Sequence, residues 1–560
     1  MNSTASENLR IVIIGGVAGG ASAAARARRC NAQAQITILE KGAVVSFANC
    51  GLPYHLGGEI ADRSKLLVAT PELFWDRFRV RVRTGHEVKT LDRSAQTVTG
   101  TTTAGEEFKL PYDRLILATG SEPIRPSFVQ APAENLFHLW TLDDMDRILA
   151  YMKKHPCKKA TVIGGGYVGL EVVEQLKLRG VDVTLLERLP QVLATLDVEL
   201  AKLIELELRQ AGVKVRLGVA VNSLLTSNQK VTALKLADGE SVATDMVIAS
   251  IGVRPRTELA ASAGLKMGDG GGVTINQFCQ TNDPNIYAVG DIVEYHHGTL
   301  QRPLRMPLAG PANRAGRVAG THAATGQAEP LASVQGTSIV RVFGLAAGAT
   351  GLNLRICTEA NFDVRTSIIQ APHHASYFPG ARNLTLKLLY EPGTGRLLGA
   401  QAVGGEGVDK RLDVAATVLH FGGTIHDLAG LDLAYAPPYG SAKDPMHMAA
   451  FVAENDLARL PQLCDYDAIL DGFQVVDVRH TSEIDKLPLP GATHIPVDEL
   501  AERWGELDPT RPTITVCHSG KRAHVAACLL QGKGFSAVAN LNGGMSIRRL
   551  APPTAQEGNS

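Results

Sequence analysis

The sequence predicts an α/β chain of several domains, and three observations predict it. A buried-strand pattern, Arg10-Ile11-Val12-Ile13-Ile14, runs into the glycine loop Gly15–Gly20 and a helix-forming run to Arg29, and a second strand, Ile36–Glu40, ends in an acid. The same order recurs at Ala160–Ile163, the loop Gly164–Gly169, a helix closed by Gly180, and Val181–Glu187. Beyond Asp467 a separate run of short strands and a helix surrounds Cys517. In the first two units the glycines let backbone approach a pyrophosphate at a helix N-terminus, and the terminal acids Glu40 and Glu187 can hold ribose hydroxyls. Two Rossmann-like βαβ units therefore predict two bound dinucleotides.

At 560 residues the chain is too long for one core, and roughly three or four domains are expected. With 56 basic and 56 acidic residues it carries no net charge, so neither nucleic acid nor an anionic membrane is expected as a partner. No apolar run reaches a membrane span, and Met1–Arg10 lacks a signal-peptide core, so a soluble cytoplasmic protein is expected. Eight cysteines without a C-x-x-C pair argue against a disulfide framework and against a metal site. Most should be structural thiols.

Between the two glycine loops lies Ser46-Phe47-Ala48-Asn49-Cys50-Gly51-Leu52-Pro53-Tyr54-His55. Gly51 and Pro53 place Cys50 at a helix N-terminus, where the dipole and free N–H groups favour a thiolate. No second cysteine follows within a hundred residues, and His55 stands where a C-x4-C pair would close. Cys50 works alone or with an external sulfur. Further along come Leu115–Gly120 and Thr281–Asp291. From Ser333 to Glu454 the pattern changes to strands Ser338–Phe343, Val364–Ile369 and Leu384–Tyr390, then a helix near Val408–Phe421 with Leu412, Ala415, Ala416 and Leu419 on one face, an α+β arrangement. Leu457 to about Asp467 reads as a connector. Cys517 then ends a strand and opens the loop Cys-His-Ser-Gly-Lys-Arg before the helix Ala523–Gly532, in which Cys528 is expected in the core. Successive N–H groups of such a loop form an anion nest, and Lys521 and Arg522 add positive charge, which suits a cysteine carrying a sulfane sulfur.

These motifs together resemble a two-dinucleotide flavoprotein disulfide reductase over residues 9 to about 450, and a rhodanese domain beyond. The resemblance implies FAD on the first βαβ unit and a nicotinamide nucleotide on the second, with Asp291 on the ribityl chain of FAD. The cofactor-contacting positions it implies are Gly15, Val17, Ala18, Gly19, Gly20, Glu40, Lys41, Thr119, Gly120, Gly164, Gly166, Tyr167, Val168, Gly169, Glu187, Gly252, Gly290 and Asp291. Glu187 favours NADH over NADPH by repelling a 2′-phosphate, although Arg188 stands beside it. The implied domains are 1–120 with 252–332 for FAD, 121–251 for NAD(P)H, 333–454 for dimerisation, a linker 455–467, a rhodanese domain 468–550 and a disordered tail 551–560.

Within that family the chain is similar to the single-cysteine branch that reduces coenzyme A disulfide and persulfides: it has G-x-V-A-G-G, S-F-A-N-C-x-L-P-Y and A-Y-A-P-P-Y. Ala18 replaces the histidine of the peroxidase and oxidase pattern. The resemblance makes Cys50 the redox nucleophile and brings Tyr377 and Tyr439 to it from the other subunit of a homodimer. Ser22, Arg26 and Arg29 share a helix face and, with Ser46, Asn49 and Asn313, could line a channel for coenzyme A. Phe78 stands where the resembled reductase has a lysine. Cys517, with Arg522, would be the sulfur carrier of the rhodanese unit. The expected activity is NAD(P)H-dependent reduction of coenzyme A persulfide, polysulfide or coenzyme A disulfide, coupled to sulfur transfer; the alternatives are an NADH oxidase or peroxidase and a polysulfide sensor that never turns over.

Overall fold

Ile11, Ile13 and Ile36 are wholly shielded from solvent or nearly so, the mark of strands covered on both faces of a parallel sheet. A computed structural model of the chain describes residues 8–126, 128–129 and 133–551. Beyond Ala551 the expected disordered tail lies outside the described residues. The strand Arg10–Ile14 (β1), the helix Ala18–Cys30 (α1) and the strand Gln35–Leu39 (β2) build the first unit as expected. The parallel sheet runs Ile286–Ala288, Arg114–Leu117, β1, β2, Val80–Arg83, with Ile11 paired to Ile36 and to Arg114. Small residues let α1 lie against the helix Ala309–Thr325: a Cβ on Gly316 would fall 2.3 Å from the Gly19 carbonyl oxygen, and one on Gly320 2.4 Å from that of Ala23.

The short helix Leu52–Gly57 (α2) carries the Cys50 segment. The second βαβ unit is the strand Lys159–Ile163 (β3), the helix Tyr167–Leu178 (α3) and the strand Asp182–Leu186 (β4), in a parallel sheet ordered Lys214–Arg216, β4, β3, Met246–Ala249, Leu136–Phe137. These elements fall in one compact unit, which runs to Pro190 and resumes over Gly212–Gly336.

The other unit holds Gln191–Ala211 and the chain from Thr337 onward. The helix Val198–Gln210 (α4), expected inside the nucleotide domain, thus groups with the later residues. Its core is an antiparallel sheet of Ser338–Val342 (β5), Leu345–Gly351 (β6), Arg365–Pro372 (β7), Asn383–Tyr390 (β8) and Leu397–Gly404 (β9), ordered β5-β6-β9-β8-β7. Helices Val408–His420 (α5) and Pro445–Leu457 (α6) pack on it. On α5, Val418 rather than Ala416 joins Leu412, Ala415 and Leu419 in the core.

The final sheet is parallel: Gln462–Cys464 (β10), Gln474–Asp477 (β11), Thr513–Val516 (β12) and Val538–Leu541 (β13), ordered β10-β13-β12-β11-Thr493–His494. The expected connector is therefore corrected: α6 runs on to Leu457, and β10 is an edge strand of this sheet, pairing Gln462 with Ala539. Arg365 of β7 bonds Asp456 and the Leu463 carbonyl. Asn542 accepts the Ile368 N–H at 2.8 Å and donates to the Thr366 carbonyl at 2.9 Å. Ile368, Tyr466, Ile547 and Leu550 share one apolar cluster. No helix among the described residues is long and apolar enough to cross a membrane.

Candidate active sites

Gly15 has φ +96°, and a Cβ there would sit 2.2 Å from the Ala118 carbonyl oxygen; one on Gly20 would meet the Gly15 oxygen at 1.9 Å. Gly164 and Gly169 repeat this against Ser250 and Gly164, at 2.3 and 2.0 Å. Only glycine permits such turns. Val17 precedes α1, Ala18 and Gly19 open it, and Tyr167 and Val168 open α3. At Gly120, Gly166 and Gly290 a Cβ would instead project into open space. The Glu40 carboxylate accepts the N–H groups of Gly16 and Gly42, both at 2.8 Å, and Glu187 those of Gly165 and Leu189 at 2.6 and 2.8 Å. Each acid is thus held against its own loop. Lys41 pairs with Glu87 at 2.5 Å, and Thr119 Oγ1 donates to the Arg256 carbonyl at 2.7 Å. Gly252 turns the chain at φ +106°. Asp291 accepts from Ser121 Oγ at 2.6 Å, and burial raises its carboxyl pKa.

Cys50 is exposed, in a 3₁₀ turn Asn49–Gly51 that leads straight into α2, with Pro53 in the first turn and Gly58 at φ +95° closing it. The position is the expected one, but the expected lowering of the thiol pKa is not found. Burial of the inner side of the thiol raises its pKa first, the Glu171 carboxylate second, and Asp291 adds to both, against one backbone bond that lowers it. A helix of six residues has too little dipole to offset desolvation and a nearby carboxylate. Tyr54 of α2 donates to Glu171 Oε1 of α3 at 3.0 Å. His55 donates through Nδ1 to the Ile60 carbonyl at 2.6 Å, a structural bond in place of a second sulfur.

The proposed channel residues divide into groups. Ser22 Oγ donates to Asn313 Oδ1 at 2.5 Å, and Arg26 Nε to Thr321 Oγ1 at 2.9 Å. Arg29 lies 5.2 Å over the Phe78 ring, so phenylalanine at that position engages a cation instead of supplying one. Asn49 donates to the Trp140 carbonyl at 3.2 Å. Ser46 is buried at φ +50°, and its backbone ties the Cys50 segment to the Gly16 carbonyl at 2.9 Å.

In the other unit Tyr377 and Tyr439 stand 74 and 75% exposed, and Tyr377 shares a hydrogen bond of 3.2 Å with Tyr435. Cys517 follows β12 and is 1% exposed. Gly520, at φ +89°, donates its N–H to Cys517 Sγ at 3.2 Å, and Asn540 Nδ2 holds the Gly520 carbonyl at 3.2 Å. Met545 and Ser546 N–H groups bind the Cys517 and His518 carbonyls at 2.9 and 3.0 Å. Arg522 opens the helix Lys521–Gly532 (α7) beside its first residue, Lys521; it bonds Glu483 at 2.6 and 2.7 Å and reaches Cys517. Cys528, expected in the core, is exposed, 3.7 Å from His524 Nε2; it lies on the outer face of α7 while Ala523, Ala526, Ala527 and Leu530 face inward. Sequence reasoning passed over Tyr54, Glu171, Glu483 and Asn540. Glu171 could have been found as the acid two places past a glycine motif, on the helix that motif opens; nothing local marks Asn540.

Two nucleotide cradles and an accessible lone thiol define an oxidoreductase, and the chain belongs to the pyridine nucleotide-disulphide oxidoreductase family. The model of that family matches residues 9–328, that of its dimerisation domain 337–446, and a rhodanese-like domain 462–546. Among individual proteins, it is 34% identical to a coenzyme A disulfide reductase of Staphylococcus haemolyticus over 80% of this chain and 99% of that one. The solved structure of reduced Bacillus anthracis CoADR-RHD matches with TM-score 0.93 at 38% identity, over 97% of this chain and 98% of that one. That of an NAD-dependent persulfide reductase from A. fulgidus matches with TM-score 0.90 at 36% identity, over 96 and 100%. The fold is thus α/β with two dinucleotide-binding units, an α+β dimerisation domain and a rhodanese domain. The family implies FAD and NAD(P)H, and the residues fit them: both cradles are closed to any side chain but open toward Gly120, Gly290 and Gly166, with an acid held at each loop.

Proposed function

We propose that the protein reduces coenzyme A persulfide, polysulfide or coenzyme A disulfide at Cys50 with electrons from NAD(P)H, and moves sulfane sulfur through Cys517. The observation that carries this is the presence of two sulfur sites of opposite character on one chain: an exposed lone thiol in the unit with the nucleotide cradles, and a buried cysteine whose sulfur accepts the Gly520 N–H. Gly15–Gly20, Glu40 and Asp291 would hold FAD, and Gly164–Gly169 and Glu187 the nicotinamide nucleotide. Bound FAD supplies the two-electron link between nicotinamide and sulfur. Cys50 Sγ attacks a donor sulfur and breaks its S–S bond, expelling the other sulfur as a thiolate or hydrosulfide and leaving a mixed disulfide or persulfide. Two electrons and protons then return the thiol, releasing a thiol from the mixed disulfide or sulfide from the persulfide. Tyr377 and Tyr439 of a partner subunit would stabilise the thiolate and protonate the departing sulfur. Their exposure, with that of Phe378 and Tyr435, supports a homodimer contact there. Glu187 supports a preference for NADH. Ser22, Arg26, Arg29, Ser46, Asn49 and Asn313 would bound the coenzyme A channel, and a cytoplasmic setting suits eight free thiols.

In our reading the domains are 1–120 with 252–332, 121–190 with 212–251, 333–454 with 191–211, and a rhodanese domain that begins with β10 at Gln462 and runs to 550. Anaerobic turnover of NADH with coenzyme A persulfide is expected in the parent and absent in Cys50→Ser. NADH consumption that requires oxygen would overturn the reading in favour of an oxidase.

A further inference from the structure

The Cys517 loop looks cationic in sequence, yet its best anion-binding group is engaged. Both terminal nitrogens of Arg522 meet the two oxygens of Glu483, at 2.6 and 2.7 Å, in the fork-to-fork geometry that a sulfonate would otherwise occupy. Glu483 lies on the short helix Thr481–Ile484 and also accepts the His480 N–H at 3.2 Å. Nearby Arg479 and Asp477, both buried, close on each other at 2.6 Å. Lys521 is exposed, and Gly520 N–H points at the sulfur itself. Arg522 above all, with the His480 N–H, holds the Glu483 carboxyl at about 2. The acid therefore stays charged at any working pH.

We infer that Glu483 is a specificity-determining positioning residue of the Cys517 site: by filling the Arg522 fork it selects an organic persulfide as sulfur donor against the thiosulfate dianion. The inference rests on Cys517 being the sulfur carrier. With a persulfide, the Cys517 thiolate attacks the outer sulfur of R–S–SH; a Cys517–S–SH bond forms, the old S–S bond breaks, and its electron pair leaves with R–S⁻. No oxidant or reductant is consumed. With thiosulfate the same attack expels sulfite, so two negative charges must be held beside the loop throughout. A dianion feels the Glu483 charge twice as strongly as a monoanion at equal distance, and the fork that would hold it is closed.

The test uses the full chain with cyanide as acceptor and compares kcat/KM for sodium thiosulfate and for glutathione persulfide by thiocyanate release. Glu483→Gln and Glu483→Ala are expected to raise the thiosulfate-to-persulfide ratio about tenfold, chiefly through KM for thiosulfate. Glu483→Asp, which keeps the charge, should stay near the parent ratio. Because each ratio is taken on one preparation, loss of folded protein lowers both numbers and leaves the ratio intact. A flat ratio in Glu483→Gln or Glu483→Ala, in a variant that melts where the parent does, overturns the inference alone. If neither donor persulfidates Cys517 in the parent, as read by mass spectrometry, the sulfur-carrier reading falls and this inference with it.

Discussion

At Cys50 the protein does the opposite of what a helix N-terminus is expected to do for a thiol. Burial and Glu171 push its pKa up, so removing that negative charge must bring it down. In Glu171→Gln the pH midpoint for iodoacetamide labelling of Cys50, followed on its own peptide, should move to lower pH by up to about one unit. An unmoved or higher midpoint would show that burial alone sets the thiol. The position of Cys50 was legible because Gly51 and Pro53 are backbone constraints that act locally. Its electrostatics were not legible, because Glu171 arrives from α3, 121 positions along the chain.

Among elements, the strands richest in branched residues were readable and those built from small residues were not. Leu345-Ala-Ala-Gly-Ala-Thr-Gly351 and Leu397-Leu-Gly-Ala-Gln-Ala-Val-Gly404 look like loops by composition, yet β9 is buried along all eight residues. The reason is close approach: a Cβ on Gly348 would lie 2.4 Å from the Ser338 carbonyl oxygen, and one on Gly399 2.1 Å from that of Leu352. On neighbouring β8, Lys387 is wholly buried between Asp197 and Glu199, and Tyr466 donates to Glu199 at 3.2 Å. Burial opposes the ammonium charge, but Glu199 and Asp197 outweigh it and hold its pKa above the ordinary lysine value. Lys387→Met should therefore cost about 3–5 kcal/mol, because it leaves two acids buried without their cation. Urea unfolding checks this, and an unchanged midpoint would refute the cluster as a structural tie.

For the whole molecule, the exposed Tyr377 and Tyr439 carry the prediction. If they act across a dimer, light scattering should report a dimer, and Tyr377→Phe with Tyr439→Phe should lower kcat about a hundredfold with little loss of melting temperature. A fully active monomer would remove their role. The motif order along the chain, two βαβ units and then a cysteine loop, was enough to read the family, because each motif is a local requirement of nucleotide or sulfur binding. The grouping of Gln191–Ala211 with the later residues was not readable, since it depends on contacts such as Asp197 with Gln401.

The attachment of the last sheet bears on how far the chain can be divided. Asn542 holds the edge of β7, β10 completes the rhodanese sheet, and Ile368, Tyr466, Ile547 and Leu550 share one apolar cluster. A cut after Leu457 would leave β10 with its own sheet, but it would take Asn542 from the edge of β7 and strip Ile368 of its cover. The two halves behave as a welded joint, not as beads on a string: a gene shortened at that point would yield a sticky remnant, and a rhodanese unit transplanted to another host protein would need a new surface made to receive it.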